Sequence, residues 1–412
     1  MTTVHFGSFN AEAAWRDPAA ASLPEVKDGQ AQRIVETLDE VQFALCKEGD
    51  VLLTARPMLP SHREYLASLG FRFEHALDGL WPGAQPAPYA VVRGVEEICI
   101  RHGLAGDLPP VEVARKVNSK VYSHHLASAL ELFGAGDVVS SVEELSTSPL
   151  AGEPCILKDP FGVSGKGAIV VRARSELDRV LAHLQRQREA GRFIEFLLQP
   201  LHDRATDFSC HFEIDAEGWR PRGMQVMEND GLSFSAVRPA PRELQDQLDG
   251  LGQWRVMERV ARALKDDGYR GPVCVDAMLL RDGTLVPLLE INARKSMGLI
   301  NLWLQERFGG SGLLSHLSLM NLSFRRAAGF DEVLEALHRA GLLYGGGERP
   351  GVLPLSGNAV VANLPDPRAR GRLYVSAMAA DQADAVRMLG AVGACLESLG
   401  VNVPRRPGGL AA

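Results

Sequence analysis

A chain of 412 residues that is 46% hydrophobic is too long for one core and too polar for a membrane protein, so two or three packed domains are expected. A formal charge of -7, with no basic stripe interleaved with aromatics, speaks against nucleic acid as a partner. The start MTTVHFGSFN has no leader pattern, no eighteen apolar residues run together, and six scattered cysteines offer neither a disulfide framework nor a zinc site. The reading is a cytoplasmic protein with reduced thiols, no membrane contact, and small-molecule or protein partners.

In chain order, DVLLTA, HREYLASLG and FRFEHA within residues 50–76 read as strand, helix and strand, the pattern of an α/β domain over residues 1–112. Asn118 or Ser119 caps a helix through VYSHHLASALEL that ends by Gly134–Gly136, which puts Lys120 in its first turn. Next come a strand (PCILK), a glycine-rich loop (DPFGVSGKG), a strand (AIVVRA), a helix capped by Ser175, and a strand (RFIEFLLQ). This β-loop-β-α-β unit, about 138–198, has the makings of a lid. DFSCHFEID and GWRPRGMQVM read as antiparallel strands around a turn at 215–218, followed by one long helix within 241–268. Residues 113–322 form a second domain in this reading. An accessory α/β segment fills 323–412, ending in a frayed tail, PRRPGGLAA.

The strongest signal is GPVCVDAMLLRDGTLVPLLEINAR. Two apolar runs flank Arg281-Asp282-Gly283, a three-residue loop whose last glycine can take the left-handed conformation. With Leu280 opposite Thr284, Asp276 faces Leu288, and alternation turns Glu290 and Asn292 to the side of Asp276. The opposite face would carry Val273, Val275, Ala277, Leu279, Leu289 and Ile291 into a core. Two carboxylates and an amide are hard oxygen ligands suited to Mg2+, or Mn2+, that keeps water and shares phosphate oxygens. The alternative is that Asp276 and Glu290 are solubilising charges on an edge strand.

Lys158 ends an apolar strand, and Gly162, Gly165 and Gly167 let backbone N–H groups approach an anion. The loop is neither a Walker A motif nor a dinucleotide fingerprint, and a loop of this kind standing alone is more often a flexible turn.

The order NSK (118–120), ILK (156–158) with its glycine loop, FLLQPL, VDAM and LEINAR resembles the ATP-grasp superfamily over about residues 113–300. The resemblance implies an ATP-grasp core with a mobile lid behind an N-terminal α/β domain. It implies that Lys120 and Lys158 bind phosphates while Ser164, Gly165, Lys166 and Gly167 close over ATP. It places adenine along Gln199–His202, including Leu201, between Ile156 and Met278, and the ribose on Asp207. Gln199 departs from the family's usual Glu, and Pro200 lacks an N–H, so the adenine register is open by a residue. Metal ligands match Asp276, Glu290 and Asn292, and Arg294 falls near the phosphates or the developing acyl phosphate.

The N-terminal segment, NSKVYSHHLA and EINARKS look most like ligases of antibiotic and peptide pathways, of the pheganomycin peptide-ligase and butirosin carrier-loading types. The activity implied is ATP-dependent activation of a carboxylate as an acyl phosphate and its transfer to an amine of an amino acid or peptide. A carrier-protein thiol is the alternative nucleophile, and a non-catalytic nucleotide-binding protein the alternative class. A second copy of the chain, forming a homo-oligomer, is a further expected partner. Arg222, Arg238 and Lys295 are candidates for the substrate carboxylate, each of a type that is more often a surface charge. His124 and His125 read as structural, and His202 and His211 are given no role.

Overall fold

The computed structural model describes residues 1–7, 9–25, 27–134, 136–162 and 167–404. Four short strands form an all-parallel sheet in the order Phe73–Ala76, Asp50–Leu53, Thr3–Phe6, Gln85–Pro88. Pro60–Ser68 is the expected helix between two of them, entered through Pro60 in its first turn, where a missing N–H costs nothing. No helix among the described residues is long and apolar enough to cross a membrane, and all six cysteines are free thiols.

The segment read as a lid, and called the lid below, is an antiparallel sheet ordered Asp137–Val139, Phe196–Pro200, Cys155–Lys158, Ala168–Val171. Helix Arg174–Glu189 covers one face, burying Leu177, Val180 and Leu184 against Cys155, Leu157, Phe196 and Leu198. Alternation then leaves Ile156, Lys158, Leu197 and Gln199 on the other face. Ser175 is not the cap: the helix starts after Ala173, and Glu176 reaches back to accept from the Arg172 N–H at 2.6 Å. Strand Asp137–Val139 and helix Val142–Thr147 are additions to the expected elements, too short at three and six residues to show a period.

A larger sheet carries the rest, ordered Leu285–Asn292, Gly271–Leu280, Arg204–Ile214, Trp219–Asp230, Ser233–Pro239, Leu314–Phe324, Arg370–Ala379, Gly351–Pro354. Strand Leu314–Phe324 runs across position 322, and the segment beyond it adds three strands to the same sheet, the last two in this order and Val401–Asn402, which pairs with Leu314–Phe324. The turn at 215–218 is as expected, closed by Asp215 and Gly218. The single long helix over 241–268 is two, Arg242–Gly250 and Gln253–Asp266, because Gly252 takes a left-handed φ of 85° and ends the first. These helices and Lys120–Ala129 pack on one face, against Phe208, Phe212, Val275 and Ile291. Helix Met297–Phe308 packs on the opposite face. Residues 405–412, most of the stretch read as a tail, lie outside the described residues.

The first and last parts of the chain interlock. One core cluster unites Ile34, Val41, Phe43, Leu66 and Phe71 with Leu317, Tyr344, Leu353, Ala359 and Met378. At this seam Glu40 is fully buried, accepting from the Asn358 N–H at 2.8 Å while its Oε2 has no partner among the described residues. Burial pushes the Glu40 carboxyl up to about 8. An acid raised in the folded state contributes stability that is whole below the ordinary glutamate range and is lost as pH climbs toward 8. Glu40→Gln should therefore melt with the parent near about pH 4 but several degrees above it near about pH 9 in scanning calorimetry. Equal melting in alkali would refute the seam's pH dependence.

Candidate active site

The hairpin turn closes as the glycine requires: Gly283 has φ 85° and donates to the Leu280 carbonyl, while Leu280 N–H donates to Thr284 O at 2.9 Å. Leu279 and Met278 then pair with Leu285 and Val286. Beyond them the register slips, and Asp276 pairs with Glu290 rather than with Leu288. Pro287, Leu288 and Leu289 bulge opposite Ala277. Pro287 has no N–H to give the ladder, and its carbonyl is taken by Gln253 Nε2 at 3.1 Å. A slip of two residues preserves parity, so Asp276, Glu290 and Asn292 still share one face. The core place expected of Leu289 goes to Leu288, while Val273, Val275, Ala277, Leu279 and Ile291 are buried as expected.

The bulge sets two carboxylates directly across from each other, an arrangement that repels. Burial and the Glu290 charge raise the Asp276 carboxyl to about 7. Neighbouring donors offset the charge. Lys120, the first residue of its Ser119-capped helix, reaches Glu290 Oε1 at 2.8 Å and the Gly162 carbonyl at 2.5 Å. Asn292 Nδ2 donates to Asp276 Oδ2 at 3.0 Å. Lys158 projects from the lid, where burial brings it down to about 8 against the pull of Glu290. Such a donor set fits a divalent cation, which would relieve the Asp276–Glu290 repulsion more fully than one lysine does.

The lid face fits a purine nucleotide. Gln199 is buried and donates to the Gly134 carbonyl at 3.1 Å, leaving a buried Oε1 without a partner among the described residues, which an exocyclic amine would satisfy. Ile156 pairs with Gln199 in the lid sheet, and Met278 pairs with Asp207 across the larger sheet on the face of Asp276. Asp207 is held by Arg204 and Asn229, each at 2.8 Å. The Leu201 N–H is spent on the Pro154 carbonyl at 2.9 Å, so its backbone can meet a base only through the carbonyl. Gly167 closes the loop at φ 75°, and a Cβ there would meet Gly162 Cα at 3.0 Å. Ser164, Gly165 and Lys166 lie outside the described residues.

Arg294 is more tightly held than its motif foretold. Its Nε donates to Glu12 Oε1 at 2.8 Å, and its Nη2 pairs with the same atom and donates to Asn292 Oδ1 at 3.0 Å. Its Nη1 donates to the Tyr89 hydroxyl at 3.0 Å, and the Tyr89 ring stacks on Phe9. Burial opposes its charge, but Glu12 overrides burial and raises its pKa. Removing one partner of so buried a pair costs about 3–5 kcal/mol, against about 0–1 for an exposed pair. Glu12 and Tyr89 are unforeseen members of the site, because no local motif marks a carboxylate in AEAAW whose partner lies in the distant LEINAR run.

The three cations considered for a substrate carboxylate are engaged elsewhere. Lys295 is buried and donates to Gln42 Oε1 and the Ala87 carbonyl, with His5 Nδ1 at 3.1 Å. Arg222 pairs with Glu306 and lies over Trp303. Arg238 is in register with Val226, Phe208 and Ala277, so it faces away from Asp276. Among the histidines, His124 accepts from the Gly136 N–H, and His211, pushed down to about 3 by burial, bonds Ser209 and Gln225.

Asp276→Ala or Glu290→Ala should weaken Mn2+ binding in the presence of ADP by more than about tenfold, or about 1.4 kcal/mol, as read by electron paramagnetic resonance. Arg238→Ala should not. Parent-like Mn2+ affinity in both acid variants would rule out this metal site.

No protein-family profile matches the sequence. The [butirosin acyl-carrier protein]–L-glutamate ligase of Niallia circulans is 24% identical over 204 residues, 45% of this chain and 45% of that one, so the match spans less than half of the relative's length. Solved structures agree over nearly the whole chain. Phosphoribosylamine–glycine ligase of Thermotoga maritima superposes with a TM-score of 0.54 at 13% identity, covering 98% of this chain and 97% of its own. Biotin carboxylase of Campylobacter jejuni, in its β-γ-ATP complex, gives 0.53 at 13%, covering 95% and 91%. N5-carboxyaminoimidazole synthetase of Staphylococcus aureus gives 0.52 at 8%, covering 95% and 97%. The chain therefore shares the fold of these three enzymes.

Proposed function

We propose that the protein is an ADP-forming ligase that activates a carboxylate with ATP and joins it to an amine of an amino acid or peptide. The observation that carries this reading is the convergence of Lys120, Lys158, Asp276, Glu290 and Asn292 where the lid meets the hairpin, with Arg294 hydrogen-bonded to Asn292. A carboxylate resists an amine because its leaving group would be oxide; the γ-phosphate of ATP, bound with Mg2+, supplies a better one. This chain's part is positioning and charge. Lys120 and Lys158 hold phosphate oxygens, Asp276, Glu290 and Asn292 hold the metal, and Arg294 faces the oxyanion that grows as the nucleophile attacks. The lid sheet excludes water from the activated acyl group.

The carrier protein and L-glutamate in the relative's name favour one second reading, in which a carrier thiol is the nucleophile and the product is a thioester in an antibiotic pathway. Both readings share the first step. Incubation with ATP, Mg2+, hydroxylamine and a panel of amino acids that includes L-glutamate should yield a hydroxamate with ADP and phosphate. Lys158→Ala should reduce the yield by about a hundredfold or more, the scale of losing one stabilising donor. AMP and pyrophosphate in place of ADP would sink both readings.

A further inference from the structure

One segment touches both the reacting end of the site and the lid. Glu12 stands in the short helix Ala11–Trp15 and clamps Arg294 through Oε1. Further along, Arg16 meets Asp159 Oδ2 at 2.7 Å, next to Lys158 at the root of the glycine loop. Between them Trp15 lies beside the Phe161 ring at 6.5 Å, and Arg115 lies over that ring while donating to the Trp15 carbonyl at 2.7 Å.

The chain then crosses onto the lid. Ala21 N–H donates to the Phe193 carbonyl at 2.7 Å, and Phe193 N–H returns to Ala19 O at 3.2 Å, a small parallel bridge. Ser22 N–H donates to Gln187 Oε1 at 2.9 Å, and the Ser22 carbonyl is met by Gln187 Nε2 at 2.7 Å and His183 Nε2 at 2.9 Å. Ala21 and Leu23 are buried inside the lid's own apolar cluster, with Leu184, Ile194 and Phe196. The intervening turn is not slack, because Asp17 accepts from the Ala19 and Ala20 N–H groups.

If the lid swings on the strands around Phe196–Pro200, these contacts would pull on residues 19–23, and through Arg16 and Trp15 on Glu12. We propose that Glu12 is a positioning residue for Arg294, and that residues 11–23 form a strap coupling lid closure to the placement of that guanidinium. The chemical role of Arg294 rests on the proposed function; the mechanical coupling does not. Arg294 is in place for an oxyanion only once the lid has sealed the site, so activation and protection from water occur together.

The double variant His183→Ala/Gln187→Ala cuts the lid anchor away from the proposed nucleotide contacts. In nucleotide-free hydrogen exchange of the full chain, it should speed exchange severalfold in the peptide over 292–295, where the Lys295 N–H is bonded to the Tyr89 carbonyl. Faster exchange confined to the lid, residues 138–200, would overturn the strap. For Glu12 itself, Glu12→Gln should lower hydroxamate formation by about tenfold or more while ATP affinity by calorimetry stays within about threefold, and Glu12→Asp should recover part of the loss. Equal turnover in Glu12→Gln and parent would overturn the positioning role. A parent chain that binds neither ATP nor ADP would remove the proposed function, while the exchange comparison would still decide the coupling.

Discussion

The site is organised around a repulsion. Asp276 and Glu290 sit at paired positions of neighbouring strands, and that pairing is unfavourable unless positive charge is brought to it. Lys120 comes from a helix, Lys158 from the lid, and Arg294 from the end of the hairpin, held against the N-terminal segment by Glu12. Each arrives on a different element, so the charge balance of the pair depends on how the parts of the fold are docked. A divalent cation fits the same logic, since it would concentrate at one point the compensation that the side chains now share.

Much of this was legible in the sequence because the signals were local. Gly283 marked the turn, alternation assigned the acids to one face, and Ser119 marked the start of the helix that presents Lys120. Parity survived an incorrect register, since the bulge at Pro287 slips the pairing by two residues and not one. What escaped were contacts between residues far apart in the chain, which no periodicity encodes. Glu12 on Arg294, Lys295 in its buried network and Arg238 on the far face follow from how the segments dock and how the strands are ordered. Gly252 was visible, but a glycine within a helical pattern does not say whether it will bend or break the helix.

The lid's two faces divide its labour. One packs helix Arg174–Glu189 and residues of the N-terminal segment into a dry cluster; the other presents Ile156, Lys158 and Gln199. Because Ala21 and Leu23 enter the dry cluster, the lid is fastened at a second place besides its strands. That second attachment is the one the proposed strap would use.

The seam between the two ends of the chain bears on how the protein is made. Phe43, Leu66 and Phe71 emerge from the ribosome early, yet Leu353, Ala359 and Met378, with which they share a core, are synthesised long after them. Until those arrive, the parallel sheet has one apolar flank with nothing to cover it, and the buried Glu40 has no Asn358 amide to accept from. The N-terminal sheet therefore cannot finish folding in the order in which it is translated. Until then, the surface that the C-terminal strands finally close stays uncovered on the growing chain.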